Sequence, residues 1–185
     1  TRELGLPVSL APIKARLWSL KASTAKLVMG DPNDPAVVAT DVSGTLAWSD
    51  LFKREIRLVT ASGSDLMLKI SRWPSSGGPL PENYFFLDQW LPKSLTLDTG
   101  RYIADDGFTY AVENAQWRRL ADGGAQVQWS QTYNQRDVSQ SATLDSLPGL
   151  LGLKPISLDI ALQSEDQAES KIQLQTTIKP GASSG

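Results

Sequence analysis

Residues 38–48 carry the clearest period-two pattern in the chain. Val38, Thr40, Val42, Gly44, Leu46 and Trp48 take one set of alternate positions, and Ala39, Asp41, Ser43, Thr45 and Ala47 take the other. Successive side chains of a β-strand point to opposite faces, so this run predicts a half-buried strand with the first set on one face. The rhythm returns in Ile56, Leu58 and Thr60, in Leu66, Leu68 and Ile70, in Ile156, Leu158, Ile160 and Leu162, and in Ile172, Leu174, Thr176 and Ile178. No helical period persists over a window of about 11 residues. The expected fold is all-β.

Turn-forming clusters divide the pattern. Gly30-Asp31-Pro32-Asn33-Asp34-Pro35 reads as a loop, and Ala61-Ser62-Gly63-Ser64 as a turn between two strands. The loop is rich in oxygen but lacks the ligand register and closing Glu of a calcium hand. Asp106-Gly107 and Asp122-Gly123-Gly124 read as hairpin turns. Residues 13–29 read as strand-like, with Leu20, Leu27 and Met29 inward. Leu95 with Leu97 forms one short strand and 101–104 another. The segment 84–91 is too short for a stable isolated helix and reads as an amphipathic turn plugging one end of the sheet. A second short helical turn falls at 144–151. The sum is nine to eleven largely antiparallel strands, arranged as a curved sheet or as two packed meanders. A barrel, a sandwich and an open trough all fit this pattern. One domain over 1–185 is expected, with an internal division near 73–91 and a small-residue tail at 180–185.

Composition removes whole classes of chemistry. The 185 residues include no cysteine and no histidine, so thiolate nucleophiles, disulfides, imidazole relays and the usual zinc sites are excluded. With 18 basic and 20 acidic side chains the net charge is −2, which argues against a nucleic-acid partner. No apolar run is long enough to span a bilayer as a helix. Asp105 with Asp106, and Glu165, Asp166 and Glu169, are carboxylates in a turn and a connector, and read as solvated charge. Ser19 and Lys21 share one face of a predicted strand and make a very weak nucleophile pair. No phosphate loop or nucleophile elbow is present. The expectation is therefore a protein that is not an enzyme and carries no cofactor or metal.

Six tryptophans need a place. Trp48 and Trp129 fall in register with apolar neighbours and Trp90 closes the plug, all packing roles. Trp18, Trp73 and Trp117 are the candidates for exposed stacking on a flat surface. The doubled Arg118-Arg119 reads as a solvated face, with contact to anionic lipid as the sharper alternative.

The phrase Val8-Ser9-Leu10-Ala11-Pro12-Ile13, the strand end Ala25-Lys26-Leu27-Val28-Met29 and the following strand 41–48 resemble the AsmA-like group of Gram-negative envelope proteins, which includes the TamB type. The segment 90–102, from Trp90-Leu91-Pro92-Lys93 to Gly100-Arg101-Tyr102, repeats the style. The resemblance implies an elongated β-sheet folded like a taco, with an apolar inner face that holds or moves lipid, or serves outer-membrane biogenesis. It also implies the bacterial periplasm, tethering to the inner membrane in a longer protein, and partners among lipids and envelope or membrane proteins. The family has no catalytic residues to carry over. Trp18-Ser19-Leu20-Lys21-Ala22 is similar to strands of periplasmic lipopolysaccharide-transport proteins, and a secretion-pathway component is a third relative of this kind.

Two functional readings follow. In the first, Val38, Val42, Leu46, Ile56, Leu58, Leu66, Leu68, Ile156, Leu158, Ile160, Leu162, Ile172 and Leu174 form one continuous apolar face that meets lipid. In the second, the chain is a closed β-sandwich that binds carbohydrate or protein. The discriminating feature is whether the apolar surface is filled or left accessible.

Overall fold

The computed structural model describes residues 6–48, 57–72, 85–88, 91–133, 136–164 and 171–178. They form one open sheet of eleven strands. The strands are β1 (Val8–Leu10), β2 (Ile13–Arg16), β3 (Lys21–Asp31), β4 (Asp34–Leu46), β5 (Leu58–Lys69), β6 (Ser94–Ile103), β7 (Thr109–Arg119), β8 (Ala125–Tyr133), β9 (Arg136–Leu144), β10 (Ile156–Ser164) and β11 (Lys171–Ile178). Spatial order follows chain order from β3 to β11, with β1 and β2 both paired to the outer edge of β3. Neighbours are antiparallel except β5 and β6, which run parallel. The two expected meanders are thus hydrogen-bonded into a single sheet through this parallel pair, not stacked on each other. One five-residue helix, α1 (Leu147–Leu151), and 3-10 turns at Leu17–Ser19, Ile70–Arg72 and Phe85–Leu87 complete the described elements.

Several local expectations change. Ala61-Ser62-Gly63-Ser64 is no turn but the middle of β5, and Leu95 and Arg101 belong to one strand. In both places paired backbones on either side outweigh the local turn preference of Gly and Ser. The strand-like 13–29 is split by the turn at 17–19, which Leu20 closes with φ 47. The hairpin turns at Gly107 (φ +83) and Gly123 (φ +90) stand as expected, because both need the left-handed backbone that glycine adopts freely.

The central feature is a seam crossing five strands. Pairing runs in constant register on both sides of it but omits Ala25–Asp41, Asp41–Ser64, Ser64–Asp98 and Asp98–Asn114. Asp41 (φ 49) and Asn114 (φ 52) are left-handed, which Asp and Asn tolerate better than most residues. At the seam each strand turns two consecutive side chains to the same face: Ala25 and Lys26, Thr40 and Asp41, Ser64 and Asp65, Asp98 and Thr99, Glu113 and Asn114. Their side chains bond one another, Thr40 with Ser64 at 2.9 Å, Ser64 with Asp41 at 3.0 Å and Arg101 with Asp65 at 2.7 Å. Beyond the seam Ser43 meets Ser62 and Thr45 meets Thr60 on that same polar face. The alternation therefore shifts phase by one residue, and Val37, Ala39, Val42, Gly44 and Leu46 share the opposite, apolar face. A bulge between Glu113 and Gln116 ends the seam, and the pairing from β8 to β11 runs in one unbroken register.

At the far end of the β3–β4 hairpin, Asp34 bonds Lys69 at 3.0 Å and also reaches Arg72. The Lys69 hydrogen bond first, then the Arg72 guanidinium beside it, hold the Asp34 carboxyl below its ordinary value, against a desolvation effect that works the other way. A depressed folded-state value means this tether stabilises above the ordinary carboxylate range and is lost as pH falls through it. Asp34→Asn should therefore lower the urea midpoint at neutral pH and leave it nearly unchanged at low pH, so that the acid limb of midpoint against pH flattens. The seam makes a stronger prediction. Asn114→Gly should fold with wild-type stability or better. Asn114→Val forces a β-branched residue into the left-handed region and should cost about 1–2 kcal/mol in urea unfolding.

Candidate functional site

The apolar face is the candidate site, and its construction can be followed strand by strand. On one side of the seam Val37 packs with Leu6 and Ala36, against Met29, Leu66 and Leu68. On the other, Val42, Leu46 and Leu58 line an apolar depression of about 280 Å³ with Leu10, Ile13 and Leu27. Leu58 reaches this face through the register shift that sets it opposite Leu46. A Cβ on Gly44 would lie 2.9 Å from the Leu58 side chain, so glycine there leaves the floor low. Across the parallel pair, Gly100 lies under Leu97 and Val112, 3.1 and 2.9 Å from where its own Cβ would stand.

The second half continues the surface in register. Leu95, Trp117, Val127, Ala142, Ile160 and Leu174 make one row across six strands, and Leu144, Leu158 and Thr176 a neighbouring one. Leu162 and Ile172 sit opposite each other beside Gln140, whose amide N–H donates to the Gln131 carbonyl oxygen at 3.1 Å. Ile156 ends the series opposite Ile178.

Of the thirteen residues expected on one face, the structure brings together Val42, Leu46, Leu58, Leu66, Leu68, Ile156, Leu158, Ile160, Leu162, Ile172 and Leu174. Val38 lies on the polar face, opposite Val28 and Met67, because the phase shift at Asp41 separates it from Val42. Ile56 lies outside the described residues, as do Trp73, Trp90, the Glu165, Asp166 and Glu169 cluster, most of the 73–91 division and the 180–185 tail. Sequence reasoning missed Val37, Leu95, Leu97 and Val112 as members of this face. The doubled polar residues Thr40-Asp41, Ser64-Asp65, Asp98-Thr99 and Glu113-Asn114 were the available signal.

Two diagonally opposite corners of the face are covered. Leu6 closes the one above Val37. At the other, α1 buries Leu147 and Leu151 against the sheet end where Ala125 and Ile156 are also buried. Ser146 caps this helix, its hydroxyl accepting from the Gly149 N–H at 3.0 Å. The turn Phe85–Leu87 sits beside α1, close to Gly152. Arg119 clamps it by donating to the Asp88 carboxylate at 2.8 Å and to the Asp88 and Leu91 carbonyls at 2.7 Å each. Trp117 adds an indole N–H to the Pro92 carbonyl at 3.1 Å. Of the segment 84–91 expected to plug the sheet, the described residues 85–88 and 91 form a turn tethered by Arg119, unlike its exposed neighbour Arg118.

Between these corners the face is open. Exposure rises along β11 from 40% at Ile178 through 55% at Leu174 to 66% at Ile172. Among the described residues the buried apolar side chains are Leu6, Ala36, Val37, Ala125, Leu147, Leu151 and Ile156, all at the two covered corners.

The other residues weighed from sequence have structural roles. Asp106 accepts the Phe108 N–H at 2.9 Å and so braces its hairpin turn. Ser19 lies in the 17–19 turn with its hydroxyl toward the Arg16 carbonyl, not in a strand with Lys21. Among the described residues no group of three or more His, Cys, Asp or Glu side chains is placed to hold a metal. The polar face carries a depression of about 470 Å³ lined by uncharged groups such as Gln128, Ser130, Ser139 and Gln163.

Set against protein-family models, curated proteins and solved structures, the chain matches none. The clamp supplies the local prediction. Arg119→Ala should lower stability by about 1–3 kcal/mol, because charge-assisted bonds are lost and Asp88 loses its partner. Hydrogen exchange should speed up at 85–88 and in α1 while β8 to β10 keep their protection.

Proposed function

We propose that this chain is a non-catalytic lipid-binding domain of the bacterial envelope, which holds acyl chains against the apolar face of its sheet. The observation that carries the reading is that face itself: in register from β3 to β11, closed at two corners, half-buried between them and exposed at Leu10, Ile13, Ile172 and Leu174. Water contact with so many side chains is costly, and burial of each methylene of a ligand against them gains about 0.8 kcal/mol. An acyl chain fits such a surface because it asks for no hydrogen bonds. The described lining offers few polar groups, and one of them, the Gln140 amide, turns an N–H to Gln131.

The mechanism is one of shielding. Rows of Leu, Ile and Val replace water along the ligand without fixing its position, so a chain can slide along them as well as rest. The polar face, with its Ser–Ser, Thr–Thr and Gln–Thr cross-strand bonds, stays in water. The periplasm and a part in lipid transport or outer-membrane biogenesis follow from the resemblance carried by the Leu10-Ala11-Pro12 phrase. The absence of cysteine is compatible with an oxidising compartment.

The test compares two valines four residues apart. Native mass spectrometry of the chain purified from bacterial cells should show co-purifying phospholipid. Val42→Glu, on the floor of the apolar depression, should abolish it with the β-sheet circular dichroism retained. Val38→Glu, on the other face, should leave it in place. A wild-type chain free of lipid, or equal loss in both variants, would overturn the proposal.

A further inference from the structure

The β2–β3 hairpin ends in the most exposed apolar pair of the described chain. Leu17 is 77% exposed and Trp18 94%. The tip is held in place: Leu20 adopts the left-handed conformation and donates its N–H to the Leu17 carbonyl at 3.2 Å. The Leu46 N–H then ties the Leu20 carbonyl to β4 at 3.1 Å. A braced turn that presents Leu and Trp to solvent has given up their burial within this chain.

The sides of the same hairpin differ sharply. On the polar face Arg16 stands opposite Lys21 and Lys14 opposite Ser23, and the three cations line one shallow depression. Like charges directly opposite one another on a hairpin repel. Among the described residues no carboxylate lies within ion-pair distance of these three. On the other face Ile13 forms part of the rim of the apolar depression that Leu46 and Leu58 floor.

We propose that this hairpin docks the domain on an anionic bilayer. Leu17 and Trp18 enter the interface, and Lys14, Arg16 and Lys21 lie among the headgroups. Tryptophan favours this boundary because its ring is apolar and its N–H is not. Cations just behind an inserting tip add electrostatic attraction to anionic lipid, the second signal that lasting attachment requires. Docked in this way, the Ile13 side of the hairpin brings the mouth of the apolar depression to headgroup level. That last consequence rests on the carrier reading, whereas the docking itself does not.

The experiment is sedimentation of the chain with vesicles of phosphatidylcholine alone, and of phosphatidylcholine with phosphatidylglycerol. Partition onto the anionic vesicles should exceed that onto the neutral ones by at least about tenfold. Leu17→Ser combined with Trp18→Ser should lower it by about tenfold or more, with unchanged circular dichroism, since both side chains are already in water. Lys14→Glu with Arg16→Glu should remove the anionic preference. A wild-type chain that ignores vesicles, a double-serine variant that partitions normally, or equal binding to both compositions would overturn docking. A chain that ignores vesicles yet carries lipid in solution leaves the carrier reading standing. One that partitions through Trp18 but carries nothing refutes only the carrier.

Discussion

A β-strand offers its side chains to two faces in strict turn, and a lone sheet can keep only one of those faces apolar. Everything else in this structure depends on how five adjacent strands satisfy that constraint. In β4 the apolar positions are 37 and 39 on one side of Asp41 but 42, 44 and 46 on the other. Unbroken alternation would send half of them into water on the wrong face. The left-handed backbone at Asp41 and Asn114 shifts the phase by one residue, and β3, β5 and β6 shift in the same row. A shift confined to one strand would set apolar side chains opposite polar ones across the ladder, which is why the seam must cross neighbours together.

The seam also explains the division of labour between the faces. Doubling the polar side chains at the crossings in β4 to β7 concentrates hydroxyls and carboxylates on one side, where Thr40, Ser64, Asp41 and the Asp65–Arg101 pair bond among themselves. The other side is left with apolar residues and with glycines at 44, 63 and 100 that keep it low. Such a sheet has little core of its own. Its buried apolar residues gather at two corners, under Leu6 and under α1, and the span between them is accessible surface. A ligand-holding face and a marginal core are thus one fact seen twice. Arg119 matters for the same reason, since it secures the turn Phe85–Leu87 at one corner of that face.

Much of this was legible in the sequence. Strand content and the hairpins at Gly107 and Gly123 followed from alternation and turn chemistry, and the pairing sets eleven of the thirteen residues weighed for the face on one side of the sheet. Three things did not follow. Val38 was placed with Val42 because alternation was read straight through Asp41, whose backbone conformation a period-two count does not register. The middle of β5 was read as a turn because Ala61-Ser62-Gly63-Ser64 has turn propensity, and only pairing with β4 and β6 overrides it. The parallel β5–β6 pair depends on the long connection between those strands, which carries no periodic signal. The β5 miss is a case of non-local pairing outweighing a local preference.

The account's central claim is that the alternation in β4 changes phase at Asp41. Because the chain has no cysteine, single cysteines can be placed one at a time from Val37 to Leu46. Each can then be reacted with a charged, water-soluble maleimide in the presence and absence of detergent micelles. The account predicts that micelles protect positions 39, 42, 44 and 46 and leave 38, 40, 41, 43 and 45 reactive, with two adjacent reactive sites at 40 and 41, while 37, already covered by Leu6, stays unreactive with or without them. Protection that alternates without interruption from 38 to 46 would contradict it.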